Sequence, residues 1–171
     1  QPYGSKYNMI IRKIINPYAV MIGGKYMFTK QLNQWLGFDL KLYDFVYPHG
    51  NGKSSDFQIK IDWDGKWLPD YTGMGISIRF TAPFSGYYEV PVQSVSKLKG
   101  PYAVDNEKEY RKTAVFFEKV VNSSERIRNS FDQNKCWVVR SRCKIDKDGK
   151  LISSNYSVIH KICFCGEIDG S

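Results

Sequence analysis

Three aromatic side chains cluster around an Asp-Gly pair in the first half of the chain. Trp63 lies next to this pair, and Trp67 and Tyr71 follow it closely. Aromatic rings offer flat faces that stack on sugar rings or bases, while their polar edges form hydrogen bonds. The competing interpretation is a core position for Trp67 with Trp63 covering it, since scattered exposed aromatics are normal. We take these three residues as candidate ligand-binding side chains.

Two arginines, Arg140 and Arg142, are candidate polar partners for the same ligand. Their spacing puts them on one side of a strand, because successive side chains alternate between the two faces. The alternative is an ordinary solvated face. The formal net charge of +8 would attract nucleic acid, anionic lipid or acidic polysaccharide without identifying any of them. Since the basic residues form no block of five or six, we do not expect nucleic acid as the partner.

A short segment occurs twice and raises the question of a calcium site. The sequence Lys-Ile-Asp-x-Asp-Gly-Lys spans Lys60–Lys66 and recurs at Lys144–Lys150. Calcium loops place an oxygen ligand at the fifth position, where both copies have the final lysine, which repels the ion. The pair Asp-Gly between alternating residues is instead a strong hairpin signal. We therefore predict two hairpin turns and no metal site.

The remaining reactive residue types form no catalytic pattern. His49 lies in a Gly-rich loop, and His160 alternates with apolar residues. The sequence contains neither a nucleophile elbow nor a pair of carboxylates at a spacing typical of catalysis. We therefore expect no catalytic residue and no cofactor, and we favour a protein that is not an enzyme. We expect the cysteines to be free buried thiols; a disulfide is the second interpretation and a metal site the third. These are Cys136, Cys143, Cys163 and Cys165.

Alternating apolar and polar residues predict the strands that carry these side chains. Phe57, Ile59 and Ile61 alternate before the first Asp-Gly pair, and a second arm is expected at Trp67. A long C-terminal hairpin is expected around the second pair. Pro91 lies inside a strand pattern and lacks a ladder donor, which places it at an edge or a bulge.

One segment, at about 106–121, favours a helix. Asn106 and Glu109 resemble a capping box, and Tyr110, Ala114, Phe117 and Val121 share one helical face. The residues from Thr113 to Val121 are also β-branched and aromatic enough for a strand, which is the alternative.

The length of 171 residues predicts a single domain, 1–171, whose core is large enough to be stable without disulfides or a structural metal. No run of 18 apolar residues is present, so we expect no transmembrane segment. Two Asn-x-Ser sequons, at Asn122 and Asn155, are compatible with a secreted protein. The chain begins at Gln1, without an initiator Met or a signal-peptide pattern.

The segment Phe80–Tyr88, Phe-Thr-Ala-Pro-Phe-Ser-Gly-Tyr-Tyr, resembles a signature of secreted jelly-roll domains of the complement globular-head and tumour-necrosis-factor-like type. The resemblance covers about a dozen residues and implies that Pro83 and Gly86 turn the chain between two core strands. It also implies a homo-oligomer, commonly a trimer, and a role in recognition.

These observations together predict an all-β, jelly-roll-like sandwich with one short helix. The expected function is non-enzymatic recognition or adhesion at the cell surface or outside the cell. Carbohydrate is the preferred ligand and a protein surface the other partner considered. The alternatives are a structural subunit of a surface or viral assembly and a glycan-processing enzyme.

Overall fold

Nine strands form the framework of the part of the chain that the structure describes. In a computed structural model, the described residues are 32–63, 73–92, 104–105, 108–120, 125–160 and 162. The strands are β1 (Leu36–Asp39), β2 (Asp44–Phe45), β3 (Phe57–Trp63), β4 (Gly73–Arg79), β5 (Gly86–Pro91), β6 (Thr113–Val120), β7 (Arg126–Asn129), β8 (Lys135–Ile145) and β9 (Leu151–Ile159). Within the described ranges there is no helix, and therefore none long and apolar enough to cross a membrane.

The strands form two antiparallel sheets. The large sheet has the order β2-β1-β3-β4-β6-β7, and the small sheet has the order β5-β8-β9. Both sheets contribute to one apolar core, in which Trp137 of β8 stacks on Tyr87 of β5 with ring centroids 3.8 Å apart. Phe116 of β6, from the large sheet, approaches the same indole at 5.6 Å. The all-β sandwich prediction is therefore confirmed, whereas jelly-roll connectivity and a single domain over 1–171 stay predictions.

The predicted helix at about 106–121 is wrong over its second half, which forms β6. This strand lies between β4 and β7 and pairs with β4 along its length, from Thr113 to Lys119. Phe116 is buried while Phe117 is 36% exposed, which is the two-residue period of a strand. Local periodicity was ambiguous here, and the ladder to β4 selected the strand that β-branched and aromatic residues favour.

The second Asp-Gly pair closes the predicted hairpin between β8 and β9. Asp146 accepts hydrogen bonds at its Oδ1 from the backbone N–H groups of Asp148 and Lys150, at 2.9 and 2.8 Å. Gly149 adopts φ +80°, a left-handed conformation that favours glycine. Trp137 lies opposite Ile159, and Ile145 lies opposite Leu151 beside the turn. The turn therefore spans five residues centred on Asp148.

The first Asp-Gly pair lies outside the described residues, but the partner of the preceding strand is known. β3 pairs with β4, and Trp63 lies opposite Met74. The arm expected at Trp67 lies outside the described residues and stays a prediction.

A tight turn carries the chain from the large sheet to the small one. The residues Ala82 to Ser85 join the end of β4 to the start of β5, and the Ser85 hydroxyl donates to the Ala82 carbonyl at 2.6 Å. Gly86 follows with φ +152°, and a Cβ there would meet the Arg111 carbonyl at 2.6 Å. Pro91 ends β5, which is an edge strand, as predicted for a residue without a ladder donor.

Candidate functional site

The structure places the predicted ligand-binding residues in different environments. Trp63 is the last residue of β3, where its backbone N–H donates to the Asn33 side chain at 2.9 Å and its carbonyl accepts from the same amide at 2.8 Å. The side chain of Trp63 is half-buried. Trp67 and Tyr71 lie outside the described residues, so their predicted role stays a prediction.

Arg142 lies between two buried aspartates rather than at an open surface. Its Nε donates to Asp56 Oδ1 at 2.8 Å, and its Nη2 donates to Asp56 Oδ2 at 3.0 Å and to Asp39 Oδ1 at 2.5 Å. Asp39 ends β1, and Asp56 immediately precedes β3. Arg142 therefore joins the small sheet to the large one.

Backbone N–H groups also donate to the same two carboxylates. Asp39 accepts from the N–H groups of Lys41, Leu42, Lys53 and Ser54, at distances of 2.9 to 3.1 Å. Asp56 accepts from Leu40 N–H at 2.7 Å. Burial raises the pKa of Asp39, but these hydrogen bonds and the charge of Arg142 outweigh it and lower the pKa to about 2.

Arg142, Asp39 and Asp56 form a structural ion-pair network, which we call the lock, and not an acid–base pair. A general acid or base needs a pKa near the working pH and a free position for the proton. Asp39 is held ionised far below neutral pH, and both of its oxygens accept several hydrogen bonds. The sequence did not reveal this pair because Asp39 and Asp56 are separated by 17 positions that include β2 and a Gly-rich loop.

Arg140 and Arg142 contact different partners, so they do not form the basic stripe that two arginines on one side of a strand would make. The guanidinium carbon of Arg140 lies 3.7 Å from the centre of the Tyr110 ring, and its Nε donates to the Phe84 carbonyl at 2.6 Å. The register of β8 against β9 shifts between Ser141 and Lys144, and Arg142 adopts φ +50°. The bulge breaks the alternation that the stripe required.

The structure also separates Trp63 from Arg142. Arg142 binds Asp56 beside the first residue of β3, whereas Trp63 is its last residue. Six strand steps at ~3.3 Å each put these positions about 20 Å apart. A small ligand could not contact both Trp63 and Arg142.

A different aromatic residue, Trp35, anchors a polar surface on the outer face of the large sheet. The guanidinium carbon of Arg79 lies 4.0 Å from the Trp35 ring centre, and the Lys60 ammonium lies 5.3 Å from it. Inward residues of β3 and β4, such as Ile59 and Ile78, belong to the core. Their neighbours Lys60 and Arg79 therefore project from the opposite face.

Hydrogen bonds connect the polar side chains of this surface. Arg79 Nε donates to Gln58 Oε1 at 2.6 Å, Lys60 pairs with Asp62 at 2.6 Å, and Ser77 Oγ donates to Asp62 at 2.5 Å. All of these side chains and Trp35 are half-buried. We call this set the Trp35 platform; its members are Trp35, Gln58, Lys60, Asp62, Ser77 and Arg79.

The Trp35 platform combines the two kinds of contact that polyhydroxylated ligands need. A tryptophan ring offers an apolar face, and planar amide, carboxylate and guanidinium groups donate or accept hydrogen bonds in fixed directions. The alternation along β3 and β4 does mark the outward residues in the sequence. What it does not reveal is that Trp35, which precedes β1, reaches across them.

Apolar side chains extend the same outer face beyond the platform. Val115 is 51% exposed and Ile127 is 48% exposed. Ile127 lies opposite Lys119, and Phe117 lies between Val115 and Lys119 on the same face of β6. Phe117 is opposite Gly75, and Val115 is opposite Ser77, so these residues continue the rows of the platform. We call Val115, Phe117 and Ile127 the apolar margin.

Metal-binding residue types do not come together in the part of the chain that the structure describes. No group of three His, Cys, Asp or Glu side chains there is arranged to hold an ion. Cys136 and Cys143 are free thiols, and burial raises the pKa of each. Cys163 and Cys165 lie outside the described residues.

Comparison of the chain with protein-family models, with curated proteins and with solved structures found no match to any of the three.

Proposed function

We propose that this protein is a non-enzymatic recognition or adhesion module acting outside the cell or at its surface, with carbohydrate as its preferred ligand. The observation that carries the proposal is the Trp35 platform. Its tryptophan ring is flanked by Arg79 and Lys60, and hydrogen-bonded polar side chains surround it. One exposed sequon residue, Asn155, is compatible with an extracellular location.

The geometry of the platform supports a binding role because its side chains are already oriented. Arg79 is held by both Gln58 and the Trp35 ring. Side chains fixed before binding lose little rotamer freedom when a ligand arrives, which favours affinity. The two buried carboxylates of the lock, in contrast, accept hydrogen bonds from Arg142 and backbone N–H groups and support no hydrolytic mechanism.

A glycan array with matched variants tests the proposal. Wild type is expected to bind a defined set of glycans, and Trp35→Ala is expected to weaken binding at least about tenfold, which corresponds to about 1.4 kcal/mol. Tyr47→Ala is the control, since Tyr47 is an 82% exposed aromatic in a loop outside the platform. Trp63→Ala tests the site predicted from sequence.

Circular dichroism must show the same fold for every variant. No glycan binding by wild type at any salt concentration would contradict the proposal. Equal losses in Trp35→Ala and Tyr47→Ala would contradict the assignment to the platform.

A second candidate, a structural subunit of a surface or viral assembly, is favoured by the apolar margin. Large exposed apolar residues that are contiguous on one face are typical of protein interfaces. Size-exclusion chromatography with light scattering tests this candidate: a stable trimer that Phe117→Asp dissociates would support it. A monomer at all concentrations would count against it, and Tyr47→Asp is the matched control.

A further inference from the structure

Arg140 is a buried cation whose charge is not neutralised by a carboxylate. The residue is only 8% exposed, with its Nε bound to the Phe84 carbonyl and its plane against Tyr110. Among the described residues Arg140 forms no ion pair. Burial of an unpaired guanidinium is costly, so arginines in such positions normally have an anionic partner.

The two Nη groups of Arg140 form no hydrogen bond with a described residue. The hydrogen bond to Phe84 uses Nε, and Arg140 forms no other with a described residue. Yet no fully buried side-chain nitrogen or oxygen lacks a hydrogen-bond partner in the described part of the chain. The Nη groups are therefore accessible, with their donors unused, at the tip of an otherwise buried side chain.

A second cation meets the same turn. Lys112 donates from its ammonium to the Ala82 carbonyl at 2.8 Å, while Arg140 binds the carbonyl of Phe84, two residues further along. Ser85 closes this turn with its backbone N–H on the Ala82 and Pro83 carbonyls. Burial lowers the pKa of Lys112, and the charge of Arg140 lowers it further, as expected for two neighbouring cations.

Two titratable neighbours, Cys143 and Tyr110, carry no negative charge at neutral pH. Burial raises the pKa of the Cys143 thiol despite the opposing effect of Arg140 and Lys112. Burial also raises the pKa of Tyr110, whose hydroxyl donates to the Asp105 carbonyl at 3.4 Å. Both groups are neutral. The charge of Asp105 acts on Tyr110, but among the described residues neither Arg140 nor Lys112 forms an ion pair with a carboxylate.

We propose that Arg140 and Lys112 bind one tetrahedral oxyanion, a sulfate or phosphate group, beside the Ala82–Ser85 turn. The Nη groups of a guanidinium donate two parallel hydrogen bonds to two oxygens of such a group, and an ammonium adds a mobile point charge. A dianion matches the two cations in charge. Phe84 and Tyr110 fix the guanidinium in place, so little order is lost on binding.

This site is separate from the Trp35 platform and does not depend on carbohydrate binding. Arg140 belongs to the small sheet, and its ligand position is defined by the inter-sheet turn and the segment that includes Tyr110 and Lys112. A failure of the glycan experiment leaves the oxyanion site intact, and the reverse also holds.

Isothermal titration calorimetry with inorganic sulfate and inorganic phosphate, at constant ionic strength set with sodium chloride, tests the proposal. Wild type is expected to bind at least one of them saturably with one site. Lys112→Gln is expected to weaken binding by about tenfold, since it removes one of two charges. Lys119→Gln is the control, because it removes an exposed lysine from the same strand region on the large sheet.

Arg140→Lys is expected to abolish binding because an ammonium cannot replace the bidentate contact. If that variant does not fold, Lys112→Gln alone decides the question. Absence of saturable binding by wild type, or equal losses in Lys112→Gln and Lys119→Gln, would overturn the site.

A sulfated monosaccharide distinguishes the two sources of the anion. Binding tighter than that of inorganic sulfate would support an ester-linked group on a larger ligand, and equal binding would support a free ion. Either result requires the saturable site.

Discussion

Arg142 and Asp39 lie 103 residues apart in the chain, and their side chains meet at 2.5 Å. Asp39 ends β1 of the large sheet, whereas Arg142 lies at the bulge of β8 in the small sheet. The contact therefore joins the two layers. Asp56 binds the same guanidinium through both of its oxygens, so one arginine contacts two buried carboxylates.

Replacing Arg142 by Ala should destabilise the fold by about 3 kcal/mol, because it leaves two buried carboxylates without their cation. Urea denaturation measures this as a lower midpoint at an unchanged m-value. Arg128→Ala is the control, since Arg128 pairs with Glu118 at an exposed position and should cost less than about 1 kcal/mol. Equal losses in the two variants would show that Arg142 is not a lock.

Stability should fall with acid through the titration of Asp39. Its pKa is lowered from 3.8 to about 2, so the unfolded chain binds this proton more readily than the folded protein does. The resulting stabilisation, about 2 kcal/mol, is complete above the unfolded value and is lost as the pH falls through the folded value. Unfolding free energies of wild type and Asp39→Asn across this range give the measurement. A slope as steep in the variant as in wild type would refute the assignment.

Gly149→Ala should destabilise the second hairpin by about 1 kcal/mol. A Cβ at this position meets no atom within 4 Å, so the cost comes only from the left-handed φ of +80°. Gly149→Asn should cost less, since asparagine tolerates this conformation. Thermal unfolding of both variants is the measurement, and a neutral alanine variant would contradict the observed turn.

Trp137→Ala should cost about 3 to 5 kcal/mol, the usual range for removing a large buried aromatic. The indole lies between rings of both sheets, Tyr87 at 3.8 Å and Phe116 at 5.6 Å, so the cavity cannot close by moving one layer. Chemical denaturation and near-ultraviolet circular dichroism report the loss. Trp137→Phe keeps an aromatic ring and should lose less; an equal loss would argue against packing as the cause.

Much of the local structure could be predicted, because strands and turns depend on the types of residues that are close together in the sequence. Phe57, Ile59 and Ile61 alternate with polar residues and form β3, and Asp146 with Gly149 forms the second turn. The segment Thr113–Val120 was misjudged because a helix and a strand bury different residues of the same short apolar run. Only the pairing with β4 decided which of Phe116 and Phe117 faces the core.

The candidate site was less predictable than the fold. The sequence marked Trp63 and Arg142 by residue type, but the structure puts them at opposite ends of β3. It did not single out Trp35, which meets Arg79 only because β1, β3 and β4 are neighbours in one sheet.

The sequence by itself determined an all-β protein with an Asp-Gly hairpin, since period-two alternation and turn chemistry act over a few residues. The tertiary structure decided which strands pair, in which register, and where a bulge turns Arg142 toward Asp39 and Asp56. Those choices depend on contacts between residues far apart in the chain. An alternating pattern predicts the two faces of a strand, but it does not predict which other strand pairs with it.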